Sequence, residues 1–365
     1  MFAERCVRYW VTKQVSVCLF QVFMNARSLQ SEVTCLPLDL GEVSWQSNRA
    51  AMAASAIPVV DFQKYGLNVA DPTSVASDVL ETTAREIYDA FSTIGFVYLI
   101  NHGIEQRQVD DMFTASKSFF DQPVEEKRKC ARVQSDHSDH GWVALESESL
   151  NPERQTGDLK EVFNFSPRDD GAWPADVPNF KSTFVSFFDE CTQMTERILD
   201  VLSIGLKLQD RYYLRECHNL MDKKGGATTL RSLYYPPVSG AVKPGQIRCG
   251  EHSDYGTITL LFQDDVGGLE VMNTDGVYVP AKPVPGAIVV NIGDLMQRWT
   301  ADKLKATKHR VLIPELELKK RQSRQSIAFF VNPNSDTVIK CLDGSDKYEP
   351  ISCLDYLNYK FSLTF

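Results

Sequence analysis

The chain has 365 residues, of which 43% are hydrophobic and 24% charged, and its formal net charge is −9. Such values describe a globular protein with a sizeable core rather than a disordered segment, and the acidity argues against a nucleic-acid surface, which needs a basic stripe or domain. Nine cysteines (Cys6, Cys18, Cys35, Cys130, Cys191, Cys217, Cys249, Cys341 and Cys353) form no C-x-x-C pair, and no apolar run reaches the length of a membrane helix. This excludes a disulfide framework, a thiolate zinc site and a spanning helix, and it predicts a reducing, cytoplasmic setting with no membrane partner.

Residues 1–55 differ in texture from the rest. Arg5, Arg8, Lys13 and Arg27 stand against one early acid, Glu4, a balance that fits a mitochondrial presequence. An upstream extension ahead of Met52 in "MAASAIPVVDF" fits equally well. From Asp71 to Gly95, a Pro-Thr-Ser start is followed by Val75, Val79, Leu80, Ala84, Ile87 and Phe91 at helical spacing, which predicts an amphipathic helix. The apolar strand "GFVYLINHGI" comes next, then a helix over about 105–120 and a long helix through Phe180, Phe184, Phe187, Phe188, Cys191, Met194, Ile198 and Leu202.

After Gly225 the texture changes to short strands punctuated by Gly, Pro and Asp: "TLRSLYY", "TITLLFQ", "GLEVM", "GVYVP", "AIVVNIG", "HRVLI" and "QSIAFFV". Closely spaced short strands predict a sandwich or barrel. The expected class is α+β, mainly β: a double-stranded β-helix, or jelly roll of the cupin kind, with N-terminal helices packed around it. Residues 56–224 read as the helical region with short strands, and residues 225–365 as the jelly-roll core with a C-terminal segment. The basic run "KKRQSR" from Lys319 to Arg324 lies between two strand patterns and reads as a solvated hairpin loop, with nuclear targeting a weaker reading.

Within "CGEHSDYGTITLLFQ", His252 and Asp254 are two residues apart at the start of an apolar run. On a strand they would share a face. A second histidine, His309, opens the later pattern "HRVLI". Two histidines and a carboxylate make the facial set that holds non-haem Fe(II) with open positions, although zinc also accepts such ligands. Downstream, Arg324 and Ser326 again stand at i and i+2, and a guanidinium fork beside a hydroxyl suits an organic carboxylate.

His252-x-Asp254, His309 and Arg324-x-Ser326 occur in order with "IPVVDF", "GFVYLINHGI", "DLKEVFNF", "LYYPP", "VVNIGDLMQRWT" and "KHRV". This ordered set, from about Ile57 to Phe365, resembles the isopenicillin N synthase-like family of Fe(II)/2-oxoglutarate-dependent dioxygenases. The resemblance implies that His252, Asp254 and His309 ligate Fe(II). It also implies that Arg324, Ser326 and the Tyr235 hydroxyl hold the distal carboxylate of 2-oxoglutarate. The implied reaction consumes molecular oxygen, releases succinate and carbon dioxide, and hydroxylates or desaturates a small organic molecule. Two alternatives stay open: an Fe(II) oxidase of the same fold that uses no 2-oxoglutarate, and a non-catalytic metal-binding barrel.

Several residues carry secondary expectations. Arg321-Gln322-Ser323 repeats the Arg-x-Ser pattern, but Arg324 and Ser326 lead directly into "IAFF" as the family's pair does. Leu233 stands where many plant members carry Asn, which removes a polar contact expected near the chelate. His137 and His140 read as solvated loop residues or substrate contacts, His102 as a structural strand-end group, and His218 as a residue following a helix without an evident partner. Asn291 and Asp294 read as turn residues and supports for ligands, and Met296 and Trp299 as packing. Phe163, Asn164, Phe262 and Phe330 are expected to line the substrate pocket.

Overall fold

The computed structural model describes residues 57–132, 140–149, 156–167, 171–238, 243, 245–313 and 321–363. The N-terminal extension, His137 and most of the charged loop after His309 lie outside the described residues. The chain begins with strand β1 (Val59–Asp61). Asp71 then caps a 3-10 turn, Pro72–Ser74, by accepting from the Thr73 amide. Helix α1 (Ser77–Thr93) starts later than the periodicity predicts, because Val75 and Ala76 are extended. Its Leu80, Ala84, Ile87 and Phe91 are buried as expected.

Strand β2 (Phe96–Ile100), α2 (Gln106–Phe120), the short α3 (Val124–Arg128), β3 (Gly141–Val143) and β4 (Glu161–Phe165) follow. Next come the long α4 (Phe180–Gly205) and the one-turn α5 (Tyr213–Glu216). The strand-rich half contains β5 (Thr229–Tyr235), β6 (Cys249–His252), β7 (Ile258–Gln263), β8 (Leu269–Met272), β9 (Tyr278–Pro280) and β10 (Ile288–Ile292). It ends with α6 (Asp294–Trp299), β11 (His309–Val311), β12 (Arg324–Val331), the pair β13 (Val338–Ile339) and β14 (Ile351–Ser352), and α7 (Cys353–Ser362).

Eight strands form one mixed sheet in the order β1-β2-β10-β7-β12-β5-β4-β3, and four form a second in the order β6-β11-β8-β9. The larger sheet is buried on both faces, so its strands read as nearly continuous apolar runs while alternate residues serve different cores. One set, including Val97, Leu99, Leu260, Ile288, Val290, Ile327 and Phe329, joins the helix-side core with α1, α2 and α4. The other set, including Phe96, Tyr98, Val162, Leu233, Tyr235, Val289 and Ala328, meets Cys249, Leu269, Val271 and Val311 of the smaller sheet. Two sheets closed over an inner core, with helices outside, make the jelly roll that the strand spacing predicts.

Aromatic packing sets the helix-side layer. Phe163 meets Phe119 at 5.2 Å and Phe180 at 5.0 Å between ring centroids, and full burial of each such ring contributes roughly 1.5–3 kcal/mol. Phe262 points the same way and meets Phe187 at 5.0 Å. Both therefore belong to the helix-side core and not to the inner face. Asn164 and Phe330, of opposite parity, face the inner side: Arg231 bonds Asn164 and lies over the Phe330 ring.

Candidate active site

Antiparallel pairing of β6 with β11 sets His252 opposite His309, with a bulge before Val311 meets Cys249. Strand β6 ends at His252, so Asp254 belongs to the turn that leads into β7 and not to the same strand. The pair converges because the chain bends there. Asp254 Oδ1 lies 3.7 Å from His252 Nε2 and 3.6 Å from His309 Nε2, and one ligand atom from each residue falls within 4.8 Å of the others.

Backbone carbonyls orient both imidazoles. His252 Nδ1 donates to the Gly250 carbonyl at 2.7 Å, and His309 Nδ1 to the Thr307 carbonyl at 3.1 Å. A carbonyl only accepts, so each Nδ1 carries a proton, and each Nε2 is turned towards Asp254. The Phe96 ring meets His309 edge-on at 5.4 Å and limits its rotation. Burial, followed by the nearby His309, lowers the His252 pKa to about 3, which keeps the ring neutral.

The carboxylate is fixed in the same manner. Asp254 Oδ2 accepts from the Thr259 hydroxyl at 2.6 Å and from Asn291 Nδ2 at 2.7 Å, which leaves Oδ1 directed at the histidines. Burial opposes its charge, but His309, His252, Asn291 and Thr259 together outweigh burial and hold its pKa below the usual value. The Asp294 amide donates to the Asp254 carbonyl at 2.7 Å, while the Asp294 carboxylate pairs with Lys360 at 2.7 Å. Two imidazole nitrogens and a carboxylate oxygen, with the outer atoms of all three side chains already bonded, form a donor set that fits Fe(II).

Arg324 opens β12 opposite Tyr235 and is 1% exposed. Its guanidinium lies over the Tyr235 ring at 4.8 Å, donates to the Gly267 carbonyl at 2.9 Å and reaches the Ser326 hydroxyl at 3.2 Å. Burial raises the Tyr235 pKa, so the phenol stays a donor. Arg321 is exposed and precedes the strand. Leu233 is buried on the inner face directly opposite Ser326. A buried guanidinium beside two hydroxyls fits the distal carboxylate of 2-oxoglutarate.

The other candidates divide by burial. His140 is 3% exposed and packs against Phe163, Phe165 and Trp173, so it is a core residue and not a solvated one. His102 acts at a strand end, contacting the Gly286 carbonyl and accepting from the Ile104 amide. His218 does have partners: the Leu214 carbonyl at 2.6 Å and the Thr257 hydroxyl at 2.8 Å. Met296 and Trp299 are fully buried, as packing residues should be.

Sequence reasoning missed a buried ionic group behind β6. Lys160 pairs with Asp158 at 2.8 Å, and Glu148 lies 3.7 Å from Lys160 and 3.2 Å from Arg231. Asp158 Oδ1 accepts from the Gly250 amide at 3.0 Å, and the Gly250 carbonyl in turn orients His252. The motif "DLKE" thus supports the strand that carries His252. Arg248, fully buried four residues before His252, was also missed. Nothing in the mixed segment "KPGQIRCG" marks it as buried.

Comparison with known proteins agrees with this geometry. Residues 57–182 match the family described as non-haem dioxygenase in morphine synthesis N-terminal, and residues 227–333 match the 2OG-Fe(II) oxygenase superfamily. Proline hydroxylase buaE of Petromyces alliaceus is 34% identical over 72% of this chain and 85% of its own length. The 2-oxoglutarate-Fe(II) type oxidoreductase ppzD of Metarhizium majus is 30% identical over 88% and 99%. The crystal structure of a full-length Neurospora crassa protein in complex with alpha-KG superimposes with a TM-score of 0.74 at 33% identity, covering 85% of this chain and 97% of that one. The chain belongs to the 2-oxoglutarate–Fe(II) oxygenase superfamily, isopenicillin N synthase-like, and is a 2-oxoglutarate-dependent dioxygenase.

Proposed function

We propose that His252, Asp254 and His309 are the Fe(II) ligands of this dioxygenase, and that Arg324, Ser326 and Tyr235 bind the distal carboxylate of 2-oxoglutarate. The observation that carries the assignment is the convergence of two Nε2 atoms and Asp254 Oδ1 while every other polar atom of the three side chains is already bonded. When bound, Fe(II) and 2-oxoglutarate supply oxygen activation coupled to oxidative decarboxylation, which yields succinate and carbon dioxide and oxidises a substrate C–H bond. The protein contributes orientation. Carbonyls orient the imidazoles, and Thr259 and Asn291 hold the carboxylate.

The substrate in this reading is a small organic molecule with at least one hydrogen-bonding edge. On the inner face, the Asn164 side chain accepts from Arg231 at 2.8 Å, while its own Nδ2, fully buried, has no partner among the described residues. Phe330 beside them supplies an apolar surface. The acidic whole-chain charge and the free cysteines Cys130, Cys191, Cys217, Cys249, Cys341 and Cys353 support a cytoplasmic enzyme without a nucleic-acid partner.

The cofactor assignment is tested by comparing two arginine variants. Arg324→Ala should raise the 2-oxoglutarate concentration needed for half-maximal succinate release by about tenfold or more, from the loss of a charge-assisted pair. Arg321→Ala should leave it unchanged. The reverse pattern would move the carboxylate site to Arg321 and Ser323.

A further inference from the structure

Arg248 is 0% exposed, yet among the described residues only one of its nitrogens has a partner: Nη2 donates to the Gln322 carbonyl at 3.0 Å. Nε and Nη1 are buried with no partner among the described residues. An unpaired buried guanidinium is costly, because desolvation of its charge is left without compensation.

The surroundings add positive charge. Burial and then the neighbouring Arg324 guanidinium pull the Arg248 pKa down to about 10. Asp264 is the carboxylate that acts on both arginines. It is already engaged by backbone, accepting from the Gln325 amide at 2.5 Å and the Val266 amide at 3.1 Å, and burial pushes its pKa up. Two buried guanidinium groups therefore share one partly satisfied carboxylate. Arg324 spends Nε on the Gly267 carbonyl, and its Nη2 reaches Gln263 only at 3.4 Å. Both side chains retain donors for a further acceptor, and an anion would balance the local charge.

We infer that Arg248 is a second cationic anchor for the distal carboxylate of 2-oxoglutarate, acting with Arg324. The inference rests on the cofactor assignment proposed above. Arg324 alone would place a single fork on the carboxylate; Arg248 adds donors from the opposite sheet, since β12 lies in the larger sheet and β6, which Arg248 immediately precedes, in the smaller. The carboxylate would then tie the two sheets together at the end of the barrel where they carry these arginines.

The test is anaerobic isothermal titration of the Fe(II)-loaded protein with 2-oxoglutarate and, separately, with 2-oxopentanoate, which keeps the five-carbon 2-oxo acid but lacks the distal carboxylate. Wild type should prefer 2-oxoglutarate. In Arg248→Gln that preference should fall by about tenfold or more, because 2-oxoglutarate loses affinity while 2-oxopentanoate does not. Equal weakening of both ligands, or no change in either, would overturn the inference and leave Arg248 as a strut on the Gln322 carbonyl. If Arg248→Gln does not fold, Arg248→Lys and Arg248→Met carry the same comparison: Lys should retain more of the preference than Met, and equal preferences would overturn the inference. Failure of wild type itself to bind 2-oxoglutarate would instead remove the cofactor assignment.

Discussion

At the residue scale, the proposed ligands depend on their supports. Asp254 presents Oδ1 to the histidines because Thr259 and Asn291 occupy Oδ2. Thr259→Ala and Asn291→Ala should each weaken Fe(II) binding by about 10–100-fold, the usual cost of removing such a support, without a matching loss in thermal stability. Metal titration beside a melting curve checks this; unchanged affinity in both variants would mean that the carboxylate orients itself. His218 gives a separate prediction. Burial lowers its pKa to about 4, whereas an unfolded histidine titrates near 6.5. The unfolded chain therefore binds the extra proton between those values, so the stability from the neutral ring is complete above about pH 6.5 and declines as pH falls towards 4. The advantage of wild type over His218→Gln should shrink by up to about 3 kcal/mol across that window. A difference independent of pH would contradict the buried neutral ring.

At the element scale, the site exists because a turn and two strand ends meet. Gly293, just before α6, touches the turn that carries Asp254: a Cβ there would lie 2.3 Å from the Gly256 carbonyl oxygen and 3.1 Å from that of Asp254. Gly293→Ala should therefore displace the Asp254 turn and lower both metal affinity and melting temperature, and wild-type values for both would show that the turn yields freely. Much of this level was legible in the sequence. The seven strand patterns after Gly225 all appear as strands, and the residues singled out by the family resemblance lie together in space: His252, Asp254 and His309 converge, and Arg324 and Ser326 share the inner face of β12. The errors have physical causes. Phe163 and Phe262 face the helices because side chains alternate along a strand, and parity relative to Asn164 and Thr259 assigns them to the other core. Asp254 left the strand because β6 stops at His252. Arg248, Lys160 and His140 were not legible as buried groups, since burial of a polar side chain depends on tertiary partners distant in sequence.

At the scale of the whole molecule, the larger sheet is a partition. Its helix-side face is filled by aromatic packing, and its inner face carries Asn291, Thr259, Arg324, Ser326 and Tyr235 towards the smaller sheet that brings His252 and His309. Neither sheet holds a complete site. The proposed metal ligands come from the smaller sheet and its outgoing turn, and the proposed carboxylate anchors come chiefly from the larger one, so in this account the chemistry depends on closure of the barrel. The most direct test of this account is anaerobic titration of the purified protein with Fe(II) and then 2-oxoglutarate, monitored for the visible metal-to-ligand charge-transfer band of the chelate. The account predicts a saturable band that is absent in Asp254→Ala and needs more 2-oxoglutarate in Arg324→Ala. Tight Fe(II) binding with no band at any 2-oxoglutarate concentration would contradict it.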